Sequence, residues 1–154
     1  MDYFPGDSSA RSVGQRLIDV LAASDAARAS VAYAKALGTA VNVAVVDVSG
    51  VLVAFLRMPG APLHSIDIAI DKAYTAASFG LATSKWQGAL QEHSQAVREG
   101  IVLRPRFVAF GGGLPILEQG LRIGGIGVSG GSEEQDEAIA QAGLKAIGLA
   151  SPQP

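Results

Sequence analysis

Residues 121–130, LRIGGIGVSG, constrain the fold of this chain more than any other stretch. Their apolar character predicts a β-strand near the end of the chain. Gly124, Gly125 and Gly127 remove side chains from this strand, and glycine inside a strand often marks a place where other atoms approach the sheet closely. We therefore expect a pocket or a neighbouring subunit to lie directly against this part of the sheet.

An acidic helix start follows this strand, within GVSGGSEEQDE. Ser132 and Gln135 have the spacing of a capping box, which predicts a helix over residues 132–148. A phosphate loop is disfavoured, because no lysine follows the glycines and the acids of the first turn would repel a phosphate. Glu134 and Glu137 share a helical face, and two carboxylates so placed could bind a hard or iron-type cation. Acidic runs are mostly solvated surface, so no metal site is predicted.

Composition limits the classes of protein that remain. A chain of 154 residues with 49% hydrophobic residues fits one domain with a true core, and its charged fraction of 17% favours burial of surface between subunits. A formal net charge of -2 leaves no basic stripe for nucleic acid. The absence of cysteine excludes disulfides and thiolate metal sites. Without a secretory signal or a long uncharged apolar run, the chain is expected to be cytoplasmic and not to span a membrane.

Hydrophobic periodicity predicts an α+β fold with a mostly antiparallel sheet. VNVAVVDVSGVLVAFLRM (residues 41–58) is typical of a β-hairpin, with its turn at 47–50. Both faces of the second strand are apolar, so we expect helices or another subunit to cover both faces. The other predicted elements are a flexible arm at 1–8, one helix or two within 10–37 (Ser24 capping the second) ending at Gly38, a helix 66–79 capped by Ser65, a helix 84–100 capped by Thr83, a strand RFVAF, a turn at GGGLP, and a frayed end at 151–154.

Lys72 is the most suggestive ionisable residue in the sequence. It shares a helical face with Ile68, Thr75 and Phe79, and it follows the helix start by about two turns. A half-buried lysine is usually a snorkelling side chain or a salt-bridge partner. Beside Tyr74 and Thr75 it could instead neutralise an anionic ligand or, when desolvated, exchange a proton.

Three further side chains are candidates for chemistry. Arg57 ends an apolar strand, which predicts a carboxylate partner. His64 lies in the loop before the predicted helix, where a side chain can face a pocket. His93 lies among polar residues in the middle of a predicted helix and is expected to be solvated.

Four motifs occur in order along the chain: VAVVDVSGVLVAFLRMPGA, SIDIAIDKAYTAASF, FGGGLPI and RIGGIGVSGGSEEQDEAIA. Together they resemble the GlcG/HbpS-like family (haem-binding or haem-degrading, PduO C-terminal-like) over about residues 25–148. This resemblance implies a profilin-like α+β fold, a mostly antiparallel β-sheet flanked by helices, commonly assembled as a homo-oligomer. It predicts one domain over residues 24–150, with residues 1–23 as an N-terminal arm and helix outside the match.

The resemblance leaves two main functions open. One is a cofactor-independent lyase of aromatic catabolism, such as an arylhydroxylamine (hydroxylaminobenzoate-type) lyase that releases ammonia from a small aromatic carboxylate. The alternative is a non-enzymatic haem- or small-metabolite-binding accessory protein, and a weaker third is an assembly module without chemistry. The lack of the signal peptide found in the family's secreted member favours the enzyme.

Each interpretation assigns residues of this sequence. The lyase needs no cofactor and uses His64 and Lys72 as catalytic residues, with Arg57 or Lys72 pairing with the carboxylate and His64 moving a proton. Haem is the cofactor of the alternative, held by an exposed histidine, tyrosine or methionine, with His64 as the proposed ligand. A small-molecule ligand and further copies of the chain are the predicted partners, without nucleic acid or membrane. The predicted ligand-binding residues, several of which equally suit a purely structural role, are Arg57, Tyr74, Thr75, Gly112, Gly113 and Ser129.

Overall fold

A computed structural model of the chain describes residues 9–149. The predicted arm at 1–8 and the predicted frayed end at 151–154 lie outside this range. The described residues form both helices and strands, with the strands in two hairpin pairs. This arrangement is an α+β fold and confirms the predicted class. In chain order they are α1 (Val20–Leu37), β1 (Asn42–Asp47), β2 (Leu52–Arg57), α2 (His64–Phe79), a 3-10 turn (Thr83–Lys85), α3 (Trp86–Leu90), α4 (Gln95–Ile101), β3 (Gly113–Glu118), β4 (Leu121–Ser129) and α5 (Glu133–Ala146).

One antiparallel sheet with the strand order β2-β1-β4-β3 forms the centre of the fold. Alternation along β1 sends Val43 and Val45 into a cluster with buried residues of α1 and α5. It sends Ala44 and Val46 to the opposite face, against the alanines of α2. The sheet therefore has α1 and α5 on one face and α2 on the other.

The glycines of β4 make room for the backbone of α2. A Cβ atom on Gly127 would collide with the carbonyl oxygen of Ala69 and the amide nitrogen of Ala73, and one on Gly125 would collide with the carbonyl oxygen of Ala73. A helix of the same chain, rather than a pocket or a neighbouring subunit, fills the space that these glycines leave. The expectation drawn from the glycines was right about the close approach and wrong about what approaches.

Two predicted helix starts differ from the structure. α1 is a single helix that begins ten residues later than predicted, because the Asp19 carboxylate accepts hydrogen bonds from the amides of Leu21 and Ala22 and so caps it. The predicted cap of α2 is wrong: this helix begins at His64 and has no side-chain cap, while Ser65 is buried. The hairpin and the capping box of Ser132 are confirmed.

The predicted helix over residues 84–100 is also wrong. The chain forms the 3-10 turn and α3, breaks, and resumes as α4, because the hydroxyl of Ser94 accepts from the amide of Val97 and starts a new helix. His93 lies in this break rather than within a helix, and it is exposed. Thr83 is not a cap: its hydroxyl accepts from the amide of Gly113 at 2.8 Å and so ties the turn to β3.

A loop occupies residues 106–110, where the sequence predicted a strand. Arg106 has a φ of 66°, which is incompatible with an extended strand. Thr75 of α2 provides hydrogen bonds to the backbone of this loop in place of a neighbouring strand. Its hydroxyl donates to the carbonyl of Arg106 at 2.9 Å and accepts from the amide of Val108 at 3.1 Å. The strand β3 begins at Gly113, inside the stretch predicted to be a turn.

The edge strand β2 is less covered than its apolar sequence predicts. Leu52 is 44% exposed and Leu56 is 37% exposed, whereas β1 beside them is almost fully buried. Val53 and Ala54 pack against the cluster under α1 and α5, and Phe55 packs against the cluster under α2, so within one chain β2 is only partly covered. Coverage by another subunit stays a prediction.

Replacing Gly127 by alanine is expected to reduce the free energy of unfolding by about 3 kcal/mol, because a methyl group there would force α2 away from β4. Urea unfolding followed by circular dichroism measures the change. Gly100→Ala on α4 is the matched control, since no atom lies within 4 Å of its new methyl group. It is expected to be neutral or to stabilise by about 0.5 kcal/mol. Equal stabilities for the two variants would contradict the packing described here.

Candidate functional site

Lys72 is fully buried between α2, β4 and α5. Its side chain is 1% exposed, and its ammonium donates to the carbonyl of Val128 at 2.8 Å and to the carboxylate of Asp136 at 3.1 Å. The sequence predicted a half-buried lysine, but the glycine surface of β4 brings α2 close enough to draw this side chain entirely inside. A buried ion pair therefore joins two helices that lie on different faces of the sheet.

The two predicted glycines make space around this lysine. Gly112 has a φ of 127°, and a Cβ atom there would lie 2.6 Å from the Lys72 Nζ atom. A Cβ atom on Gly113 would meet the backbone of Lys72 and the side chain of Thr83. Both positions are thus required by the fold around Lys72, whatever else they touch.

An aromatic ring covers the amine of Lys72 on the outer side. The centroid of the Phe110 ring lies 5.1 Å from the Nζ atom, within the range of a cation–π contact. Phe110 is 45% exposed, so one side of its ring faces solvent while the other faces the lysine. The ring separates the amine from solvent here.

One acid in the first turn of α5, Asp136, turns inward rather than into solvent. Asp136 is 3% exposed, and its second carboxylate oxygen accepts from the amide of Gly131 at 2.8 Å. Glu133 accepts from the amide of Gly111 at 2.7 Å. The prediction of a solvated acidic face is therefore wrong for Asp136, whereas Glu133 is exposed as predicted and still accepts a hydrogen bond from the loop before β3.

The pair considered for a cation has a different arrangement. Glu134 is exposed, and Glu137 accepts a hydrogen bond from the hydroxyl of Ser84 at 2.6 Å. Within residues 9–149 there is no group of three or more histidine, aspartate or glutamate side chains placed to hold a metal ion.

Burial lowers the pKa of Lys72 from its ordinary value. The charge and hydrogen bond of Asp136 and the charge of Glu133 act in the opposite direction but offset this effect only in part. A lysine in such surroundings exchanges its proton more readily than a solvated one, which suits acid/base or nucleophilic chemistry.

The predicted residues fall on two flanks of α2. Lys72 and Thr75 contact the loop before β3 and the start of β3 itself. Tyr74 faces the opposite flank, where its ring lies against Gly50 in the turn between β1 and β2. The structure therefore brings Lys72, Thr75, Gly112 and Gly113 together and places Tyr74 apart from them.

Ser129 lies beside the Lys72 group in a polar row at the end of the sheet. It is 5% exposed and directly follows Val128, the acceptor of the lysine. Across the sheet it pairs with Asn42, which in turn pairs with Arg57. Asn42 is completely buried, and among residues 9–149 its side-chain oxygen has no hydrogen-bond partner.

Arg57 and His64 lie near the start of α2. The carboxylate partner expected for Arg57 is absent from the described residues; its guanidinium donates to the carbonyls of Met58 at 3.0 Å and Ala61 at 2.7 Å. His64 is exposed at the first residue of the helix. Eight residues separate it from Lys72, a rise of about 12 Å along the helix axis. The two predicted catalytic residues are thus well separated within one chain.

Sequence reasoning missed three residues that contribute to these surroundings. Arg106 stacks on the ring of Tyr74 at 3.5 Å and pairs with Asp71 at 3.0 Å. Asp136 was treated as part of a surface run, although its place four residues after the capping serine marks the inward face of α5. Asn42 gave one signal, a polar residue at the start of an otherwise apolar strand.

These features define an α+β domain with one buried lysine–aspartate centre and an exposed histidine at a helix start. The chain belongs to the HbpS-like family, whose model, described as haem degrading protein HbpS-like, matches residues 18–145. It is 37% identical over 122 residues to the corrinoid adenosyltransferase PduO of Citrobacter freundii, a match that covers 79% of this chain but 36% of PduO. The chain thus spans little more than a third of the length of that relative.

Solved structures show the same relationship. The Klebsiella pneumoniae protein ORFY is 33% identical with a TM-score of 0.83, over 90% of this chain and 96% of that one. A haem complex of PduOC is 35% identical with a TM-score of 0.80, over 89% of this chain and 99% of that one. Both identities accompany matches over almost the whole domain, so the fold and the family agree. None of the helices described here is long and apolar enough to cross a membrane.

Asp136→Ala is expected to lower the free energy of unfolding by about 3–5 kcal/mol, since it leaves a buried ammonium without its counter-charge. Urea unfolding measures the loss, and the double variant Lys72→Met with Asp136→Leu is expected to recover most of it. Glu118→Ala provides the comparison, because its ion pair with Arg16 is 39–48% exposed and worth less than about 1 kcal/mol. A loss no larger than that of Glu118→Ala would refute the buried pair.

Proposed function

We propose that this chain is a non-enzymatic ligand-binding domain and that haem is its ligand. The observation that carries the proposal is the likeness, in sequence and in fold, to a protein whose structure is a haem complex. The family's description as haem-degrading supports the same ligand. The adenosyltransferase activity of PduO is not assigned to this chain, which spans only part of that protein.

The residues at the start of α2 suit haem. His64 is exposed and carries an imidazole, the commonest axial ligand type for haem iron in proteins. Leu63, the preceding residue, is 74% exposed and supplies apolar surface. Arg57 is tied to the loop that leads to these residues, and it uses two of the five N–H donors of its guanidinium there. The remaining donors are available to a haem carboxylate.

Each of these side chains has a defined role in the proposal. Bound haem would supply an iron centre, and the protein would contribute the imidazole of His64, the positive charge of Arg57 and the apolar contact of Leu63. Tyr74 lies about three turns further along α2, against the Gly50 turn, and Arg106 reaches its ring from the loop before β3. We assign them to the outer part of the ligand surface.

Titration of the chain with haemin is expected to produce a Soret band that saturates at one haem per chain. His64→Ala is expected to shift this band and to weaken binding at least about tenfold, a loss of about 1.4 kcal/mol. His93→Ala is the matched control, because it removes the other histidine, which is also exposed, and is expected to leave the band unchanged. Identical titrations for His64→Ala and the unaltered chain would rule out His64 as the ligand.

A lyase acting on a small aromatic carboxylate is the second candidate, and the buried Lys72 with its lowered pKa favours it. In this function Lys72 exchanges the proton and a substrate lies against Gly112 and Ser129. Arg57 and His64 lie toward the far end of α2, so within one chain a small substrate at Lys72 does not reach them. A substrate between two subunits could contact both groups.

Incubation with 4-hydroxylaminobenzoate is the direct test of the lyase. Ammonia release without added cofactor is expected if the lyase function holds, and Lys72→Ala is expected to reduce it at least about a hundredfold, the scale of one acid/base group. Lys85→Ala serves as the control, since this lysine is exposed. Absence of ammonia, or release that survives Lys72→Ala, removes the lyase from consideration.

We also propose that copies of the chain associate through β2. The support is the apolar, partly exposed edge strand and the low charged fraction of the sequence. Leu52 and Leu56 would be buried in such an assembly.

A further inference from the structure

We propose that Lys72 is a covalent binding site for a small neutral aldehyde, which its amine captures as an imine beneath the ring of Phe110. This site lies on the β3 flank of α2 and is separate from the proposed haem site at the helix start. It also differs from the lyase chemistry, because a carbon–nitrogen bond to the protein forms and no ammonia is released.

The surroundings of the Lys72 Nζ atom leave it one free position. An ammonium has three N–H donors, and two of them meet Val128 and Asp136. The third N–H group has no acceptor in the described part of the chain. The centroid of the Phe110 ring lies 5.1 Å from the Nζ atom. Once the amine has lost a proton, its lone pair can react in this position.

The charges around the amine select a neutral partner. Asp136 is in contact with the ammonium, and Glu133 is close enough to influence its pKa. Asp136 balances the ammonium at contact distance, and the exposed carboxylate of Glu133 adds a more distant negative charge, which opposes entry of an anion. A carbonyl compound without charge does not meet this repulsion, so an aldehyde fits better than a carboxylate or a phosphate.

The reaction is balanced without any further reactant. The ammonium of Lys72 first transfers a proton to Asp136. The neutral amine then attacks the aldehyde carbon, the carbon–nitrogen bond forms, and the carbonyl oxygen becomes a hydroxyl group. Loss of this hydroxyl as water, with the proton returned, leaves a protonated imine. The positive charge stays on the same nitrogen beside Asp136, so the ion pair is preserved and nothing is oxidised or reduced.

The Phe110 ring decides access and size. It is 45% exposed, so rotation of its side chain toward solvent can uncover the amine. On the opposite side the space is closed, because even a methyl group on Gly112 would come within 2.6 Å of the Nζ atom, so a captured group must lie on the Phe110 side and be small. The site is therefore expected to accept an aldehyde of two or three carbons and to exclude an aromatic one, so the imine and the lyase function are mutually exclusive uses of Lys72.

Reductive trapping tests the proposal. The native chain is incubated with acetaldehyde and cyanoborohydride at neutral pH, and ethylation of each lysine is followed by peptide mass spectrometry. Lys72 is expected to be labelled several-fold faster than the three exposed lysines, because burial lowers its pKa and a larger fraction of the amine is therefore neutral at a given pH. The exposed lysines, which act as internal references, are Lys35, Lys85 and Lys145.

Two variants separate the proposal from non-specific labelling. Phe110→Ala removes the cover and is expected to raise the Lys72 rate and to admit benzaldehyde. Phe79→Ala is the control, since Phe79 is similarly exposed but packs against Trp86 and Phe107 instead. It is expected to leave labelling unchanged.

Labelling of the exposed lysines alone, in both the unaltered chain and Phe110→Ala, overturns the proposal. That outcome is independent of haem binding, which is read from the Soret band and from His64. It is also independent of ammonia release, because the trapping experiment contains no hydroxylamine.

Discussion

Contact between the backbone of α2 and the glycines of β4 sets the geometry of the whole domain. Gly125 and Gly127 have no side chains to hold the helix away, so the alanines of α2 lie directly on the strand. This close approach brings Lys72 within hydrogen-bond distance of a β4 carbonyl. It also turns the two flanks of α2 toward different strands. The positions of Lys72, Tyr74 and Thr75 follow from this one packing contact.

The ion pair of Lys72 and Asp136 is the second determinant. Burying two charges costs more free energy than an apolar pair of the same size would, so such a pair is retained more easily when it organises or reacts with something. Here it does organise: Asp136 also holds the turn at Gly131, while its neighbour Glu133 holds the loop at Gly111. The chemistry proposed for Lys72 uses this pre-formed arrangement.

The separation of His64 and Lys72 along α2 lets one small domain offer more than one ligand site. Haem at the start of α2 would use exposed residues around His64, whereas an aldehyde or a lyase substrate would use the buried amine of Lys72. These sites share a helix but no side chain. Experiments on one of them therefore report on that site alone, apart from effects on stability.

Local signals in the sequence determined the hairpin, the capping box of α5, the glycine-rich strand and the α+β class, because each depends on neighbouring residues and on periodicity. The motifs also marked Lys72, Gly112 and Gly113 as candidate site residues. Tertiary structure alone decided that residues 106–110 form a loop, since Thr75, distant in sequence, satisfies their backbone. It alone paired Lys72 with Asp136, 64 residues later, and separated Lys72 from His64. Pairings between distant segments depend on how the helices pack on the sheet, and spacing along the chain carries no record of that packing.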